Sequence, residues 1–155
     1  MTTINKMTRT QPNSSYNILI VDDNKDLVEF LKVLFTHNGY EVCCAYNGLD
    51  GLAEVRKQPV DVVVLDVMMP KMDGLQVCAE LKQINPTLPV ILLTAKDDLA
   101  TRSAAMALGV SEFLAKPVNV EDLLTRVRTQ CNASQWDKSN QSAVEHSEQR
   151  VSSKM

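Results

Sequence analysis

Five polar or charged side chains directly follow short apolar runs of the sequence, namely Asp22, Asp23, Asp66, Thr94 and Lys116. If those runs are parallel strands, their carboxyl ends meet at one edge of a sheet, which is where ligands bind in such folds. Three carboxylates in one cleft repel one another unless a cation neutralises them. Oxygen ligands without His or Cys suit Mg²⁺, which is usually held by one or two carboxylates together with phosphate oxygens.

The hydroxyl of Thr94 and the ammonium of Lys116 are suitable partners for an anionic phosphoryl group. Together with the carboxylates they predict phosphoryl transfer to an aspartate side chain. Each residue alone has an ordinary alternative, because a strand-terminal Asp often caps the next helix and a Lys is usually solvated. The recurrence of such residues at successive strand ends favours one shared site.

The middle of the chain alternates short apolar runs with longer amphipathic stretches. This pattern predicts an α/β fold in which helices cover both faces of a parallel sheet. Gly39 and Gly109 supply the left-handed residue that commonly ends a helix. The predicted strands are residues 17–21, 41–45, 60–65, 90–93 and 112–115, and the predicted helices are residues 24–38, 48–57, 74–84, 98–108 and 120–128.

Length, charge and hydropathy restrict the class of protein. A chain of 155 residues with 45% hydrophobic content allows one ordinary domain with a proper core. The net charge of −3 argues against direct binding to nucleic-acid backbones. No apolar run approaches the ~20 residues needed to cross a membrane, and residues 1–15 lack the apolar region of a secretory signal. We therefore expect no membrane contact and a cytoplasmic location.

Both ends of the chain are polar. Residues 1–15 and 132–155, the second containing a lone Trp136, are expected to be disordered tails around a domain at residues 16–131. The four cysteines show neither metal-ligand spacing nor the density of a disulfide scaffold, so we expect free thiols. The adjacent Cys43 and Cys44 should point to opposite faces of a strand.

Several motifs together resemble the response-regulator receiver family over about residues 16–131. The resemblance implies a flavodoxin-like, doubly wound five-stranded sheet with strand order 2-1-3-4-5. It also implies Mg²⁺ as the metal, with Mn²⁺ as a substitute. The matching pieces are Ile18-Leu-Ile-Val-Asp-Asp23, Val64-Leu-Asp-Val-Met-Met-Pro70 with Met72-Asp-Gly74, Leu93-Thr-Ala95, and Gly109 followed by Phe113-Leu-Ala-Lys-Pro117.

The resemblance assigns roles in the acidic pocket. Asp66 becomes the phosphoacceptor. Asp23, Asp66 and the backbone carbonyl of Met68 are expected to hold the metal directly, and Asp22 to act through a metal-bound water. Met68 and Lys96 border the line along which water would attack the phosphoryl group. Because Met68 cannot orient a water, slow self-dephosphorylation is expected.

The resemblance also assigns a switch. Thr94, with Ala95 beside it, and Lys116 are expected to contact the phosphoryl oxygens. Phe113 takes the position of the aromatic side chain that turns inward on activation, although an ordinary core role suits it equally from sequence alone. The Lys116-Pro117 bond is cis in the family, which an X-Pro bond adopts at small cost.

These features predict a single-domain response regulator, a switch rather than an enzyme. A histidine kinase or histidine phosphotransfer protein would supply the phosphoryl group. The fourth helix, fifth strand and fifth helix would form the face for a downstream target, or for a second copy of the chain. The residues after Cys131 are too few and too polar for an output domain.

Two alternatives stay open at this point. One is an adaptor with a receiver fold that no longer takes phosphate, although such a protein would typically have lost a pocket residue and none is lost here. The other is an aspartyl-phosphate phosphatase of the haloacid-dehalogenase class. That class places a second Asp two residues after its nucleophile, and this position holds Met68.

Overall fold

Five parallel strands form the centre of the computed structural model, which describes residues 15–95 and 98–133. The order across the sheet is β2-β1-β3-β4-β5, so β2 is added on one side of β1 and the later strands are added on the other side. This confirms the predicted α/β class and strand order. The strands are β1 (Asn17–Val21), β2 (Glu41–Ala45), β3 (Val62–Asp66), β4 (Val90–Thr94) and β5 (Glu112–Ala115).

Four helices lie in the connections between strands, and a fifth follows β5. Each begins at a polar residue that accepts a hydrogen bond from a backbone N–H of the first turn. The caps are Asn24, Asn47, Asp73, Asp98 and Asn119. In the described residues, no helix is both long and apolar enough to cross a membrane. The helices are α1 (Lys25–His37), α2 (Gly48–Lys57), α3 (Gly74–Ile84), α4 (Leu99–Ala107) and α5 (120–133).

The sheet separates two apolar cores. One core lies under α2, α3 and α4, and the other lies under α1 and α5. Two of the three interior strands, β3 and β4, are buried along their whole length, as continuous apolar runs predict. Cys43 packs against the first core and Cys44 against the second, so the prediction of opposite faces is confirmed.

The larger differences from the predicted boundaries lie in β3 and in the last helix, whereas α1, β4 and α4 differ by one residue at one end or at both ends. β3 begins at Val62 rather than at residue 60 and includes Asp66. The preceding Asp61 instead accepts a hydrogen bond from Asn17 N through its side chain, at 2.7 Å. The last helix runs to residue 133, two residues into the range predicted as a tail. Residues 1–14, Lys96 and Trp136 lie outside the described residues.

Candidate functional site

Three carboxylates meet at the carboxyl end of the sheet. Asp22 and Asp23 directly follow β1, and Asp66 is the last residue of the neighbouring β3. One oxygen from each lies within 4.8 Å of the others. Asp22 and Asp66 are 1% and 3% exposed, whereas Asp23 is open to solvent. Strand order therefore brings together the acids that the sequence predicted, at the place where the connections change direction.

Lys116 reaches the same point from the end of β5. Its Nζ lies 2.8 Å from Asp22 Oδ2 and 3.4 Å from Asp66 Oδ1. Backbone groups supply further donors, because Asn24 N donates to Asp22 Oδ1 at 2.9 Å and Met68 N donates to Asp66 Oδ1 at 3.3 Å. Two buried carboxylates thus share a single ammonium, which leaves negative charge in excess.

The excess negative charge changes the acidity of the phosphoacceptor candidate. Burial raises the pKa of Asp66 from 3.8 to about 6, and the nearby Asp22 adds to the rise. Lys116 and the N–H of Met68 offset only part of it. Burial lowers the pKa of Lys116, but its hydrogen bond to Asp22 and the two negative charges outweigh that effect and raise it. Lys116 is therefore a permanent cation of the site.

The donor set fits a small divalent cation. It offers hard carboxylate oxygens on two neighbouring strands, with one carboxylate facing solvent, and it contains neither His nor Cys. Mg²⁺ prefers such ligands and keeps several waters. A second positive charge would also relieve the repulsion that raises the pKa of Asp66. Asp22, Asp23 and Asp66 could together hold Mg²⁺ or Mn²⁺.

Thr94 and Lys116 are joined through the backbone. Asp66 pairs with Leu93 across β3 and β4, so Thr94 lies one residue beyond Asp66 on the next strand. Lys116 N donates to Thr94 O at 2.8 Å, and the Lys116-Pro117 peptide is cis. Thr94 is fully buried, and Ala95 after it is exposed. The residues predicted to contact a phosphoryl group, Thr94, Ala95 and Lys116, therefore lie on adjacent chain segments beside Asp66.

Phe113 lies on β5 opposite Leu92 and packs partly buried against the core beneath α4. The guanidinium of Arg102, on α4, lies over its ring, with the guanidinium carbon 4.9 Å from the ring centroid. This contact was not predicted from the sequence. No spacing rule links residues on a helix and a later strand, so the contact becomes visible only in the folded chain.

The loop after Asp66 is held tightly. Met72 N donates to Pro70 O at 2.8 Å, and Lys71 between them has φ of 70°, an uncommon backbone conformation for a side chain of this kind. Gly74 then begins α3 so close to β3 that a Cβ added to it would lie 2.2 Å from Asp66 O. Only glycine fits there. In the sequence Gly74 is recognisable only as part of a motif, and the close approach that requires glycine is visible only in the fold.

Comparison with known proteins agrees with the geometry. The family model for the response regulator receiver domain matches residues 18–128. The response regulator MprA of Mycobacterium bovis (strain BCG / Pasteur 1173P2) is 40% identical over 114 residues, which is 74% of this chain and 50% of MprA. The chain therefore spans about half the length of the curated relatives it matches.

Solved structures give the same result. A CheY-like receiver domain protein from Methanospirillum hungatei JF-1 superposes with a TM-score of 0.78 at 26% identity, over 80% of this chain and 99% of that one. CheY4 of Vibrio cholerae superposes with a TM-score of 0.72 at 28% sequence identity, over 75% of this chain and 98% of CheY4. CheY in the Borrelia burgdorferi CheX-CheY-BeF3-Mg²⁺ complex superposes with a TM-score of 0.70 at 28% sequence identity, over 74% of this chain and 87% of that one. The chain belongs to the response regulator receiver domain family.

Proposed function

We propose that the chain accepts a phosphoryl group on Asp66 and thereby changes its binding to a partner protein. The observation that supports this most directly is the cluster of three carboxylates within 4.8 Å, with the ammonium of Lys116 beside two of them. A structural cap would not need a third carboxylate or a half-buried ammonium beside it. Transfer of a phosphoryl group to a carboxylate is assisted by a bound metal ion and by a cationic side chain, which both stabilise the charge on the phosphoryl oxygens.

In the proposed reaction, a carboxylate oxygen of Asp66 attacks phosphorus, and the bond from phosphorus to the donor breaks as the acyl phosphate forms. Asp23, Asp66 and the carbonyl of Met68 would hold Mg²⁺, with Asp22 acting through a metal-bound water. Bound Mg²⁺ would neutralise charge on the transferring phosphoryl oxygens. Lys116, whose Nζ lies 3.4 Å from Asp66 Oδ1, would pair with the new phosphoryl oxygens. Thr94 and Ala95 would contact them from the end of β4.

The donor we propose is the phosphohistidine of a histidine kinase or histidine phosphotransfer protein. The partner that reads the result would bind α4, β5 and α5, because Phe113 and Lys116 lie at this side of the sheet. A second copy of the chain is an alternative occupant of that face. Amide exchange in the presence and absence of a phosphoryl analogue would locate the surface, and changes confined to α2 and α3 would contradict the assignment.

The phosphoacceptor is tested with acetyl phosphate, which needs no protein donor. Wild-type protein with Mg²⁺ should incorporate one phosphoryl group that is labile to alkali, and removal of Mg²⁺ by chelation should stop incorporation. Asp66→Asn should abolish it, because the amide is a poor nucleophile. Asp50→Asn, which removes an exposed carboxylate on α2, is the matched control and should react like wild type. Equal incorporation by Asp66→Asn and wild type would refute the assignment.

A further inference from the structure

The contact between Arg102 and Phe113 joins the helix and the strand on which the proposed switch depends. A guanidinium 4.9 Å from the ring centroid lies within the range of cation–π attraction. The buried residues of α4 are only Thr101 and Ala105, so the contact of Arg102 with Phe113 adds to a small area of packing between α4 and the sheet. We propose that Arg102 is a positioning residue that holds the Phe113 ring in its half-buried arrangement and so opposes activation, an inference that rests on the proposed function.

The register of β4 and β5 shows how the ring is coupled to the pocket. Thr94 pairs with Ala115, and Leu92 pairs with Phe113. Side chains two residues apart share one face of a strand. Thr94, Ala115 and Phe113 therefore face the same way, with Phe113 the diagonal neighbour of Thr94. Only the methyl group of Ala115 follows the ring on that face of β5.

A shift of the Thr94 hydroxyl towards a phosphoryl group on Asp66 would vacate space beside Ala115. A ring that turned into this space would leave the guanidinium of Arg102. Phe113 has no hydroxyl, so no hydrogen bond of its own fixes the ring in either position. Packing and the contact with Arg102 therefore decide between the two positions, and loss of a cation–π contact shifts such an equilibrium by about two- to fivefold.

The coupling is reciprocal, because a group that stabilises the resting arrangement must weaken binding of any ligand that favours the other arrangement. The probe is BeF3⁻ with Mg²⁺, titrated into full-length protein and followed by NMR. Arg102→Gln should raise the affinity for BeF3⁻ about two- to fivefold. Arg56→Gln, which removes an exposed Arg on α2, should leave it unchanged and so excludes an effect of net charge.

Arg102→Gln in a Phe113→Leu background distinguishes the loss of the ring contact from the loss of any other contact of Arg102. There, Arg102→Gln should give no further gain in affinity. A second readout is the ring-current shift of the Arg102 Nε–H, expected in the free protein and lost on addition of BeF3⁻. An unchanged or lower affinity of Arg102→Gln, or an equal gain in the Phe113→Leu background, would overturn the inference. Failure of wild type to bind BeF3⁻ with Mg²⁺ would instead overturn the proposed function, and this inference with it.

Discussion

The helices α3 and α4 cover the same face of the sheet but are anchored very differently. α3 buries Val77, Cys78 and Leu81 and begins with a capping box in which Asp73 and Gln76 bond each other's backbone. α4 is shorter, and only Thr101 and Ala105 on it are buried. A groove of about 510 Å³ lies beside the pocket, lined by residues of both helices and of the loop after β3.

This difference matches what each helix must do in the proposed switch. α3 follows the loop that carries the phosphoacceptor, so movement there would misplace Asp66 and the carbonyl of Met68. α4 lies beside Phe113, whose movement would report the phosphoryl group. Elements that move in signalling come from the weakly held parts of a structure. Poor anchoring of α4 is therefore consistent with the role of an output element, and firm anchoring of α3 with that of a fixed support.

The most severe test of the firm anchoring of α3 is Gly74→Ala. The new Cβ would lie 2.2 Å from Asp66 O and 2.7 Å from Val67 Cα, and both are backbone atoms that cannot give way without moving the site. We expect the free energy of unfolding in urea to fall by at least about 3 kcal/mol. Phosphorylation by acetyl phosphate should also slow, because Asp66 shifts.

Gly51→Ala in α2 is the matched control for this substitution. Its Cβ would meet a methyl group of Val21 at 2.8 Å rather than backbone, and alanine favours the helix. Its cost should be clearly smaller, and its rate of phosphorylation should stay near that of wild type. If both variants lost the same stability and the same rate, the close approach of α3 to β3 would not be what fixes the site.

A second prediction concerns the negative charge of Asp66 in the metal-free protein. The pKa of Asp66 rises from 3.8 to about 6 on folding, so the metal-free folded protein binds a proton more tightly than the unfolded chain. Stability from this group is therefore lost as pH rises from about 4 to 6, and the ionised carboxylate costs stability above that. Asp66→Asn should raise the free energy of unfolding at pH 7 by up to about 3 kcal/mol, at about 1.4 kcal/mol for each pKa unit of the rise.

Mg²⁺ provides the control for that prediction. The ion should stabilise wild type by binding the folded state alone, and it should stabilise Asp66→Asn less. The gap between the two proteins should therefore narrow as Mg²⁺ is added. A variant less stable than wild type without metal would contradict the view that the ionised pocket is held against its own repulsion.

Much of this arrangement was predictable from sequence. Apolar runs that end in acids indicated the strands and the pocket, and the bounds of α2 and α3 agree with prediction because their caps and apolar spacing are local signals. The end of α5 was placed too early, although Cys131 continues the four-residue spacing of Leu123 and Val127 and is buried with them. That spacing was present in the sequence, but the helix was predicted to end at residue 128.

What local patterns could not supply is distance between elements. The capping residues and the motif around Gly74 were visible, but the 2.2 Å approach to Asp66 O depends on how α3 packs on β3. The contact between Arg102 and Phe113 depends in the same way on the packing of α4 against β5. The distances from Lys116 to Asp22 and Asp66 likewise depend on the order of the strands that carry the three residues, and could not be read from local patterns.

A third prediction measures the difference in anchoring directly. Amide hydrogens of α4 should exchange at least about tenfold faster than those of α3 under native conditions, which corresponds to about 1.4 kcal/mol of opening free energy. BeF3⁻ with Mg²⁺ should narrow this gap by ordering the β4 side of the pocket. Equal protection of the two helices would remove the basis of the comparison, whatever the phosphorylation chemistry proves to be.

The smallest expected effect concerns the lifetime of the phosphorylated state. Met68 belongs to the loop on the α3 side and is 53% exposed, and Lys96 precedes α4 but lies outside the described residues. A thioether orients water poorly, so self-dephosphorylation should be slow. Met68→Asn offers an amide that can position the attacking water. We expect Met68→Asn to speed the loss of phosphate by about threefold, which corresponds to lowering the activation barrier by less than about 1 kcal/mol. The added Lys96→Glu should speed it further.

Met106→Asn, which changes an exposed methionine of α4, is the control. The measurement is loss of phosphate from purified phosphorylated protein in excess Mg²⁺, and a wild-type half-life of seconds, or no acceleration in the double variant, would refute a shielding role for Met68.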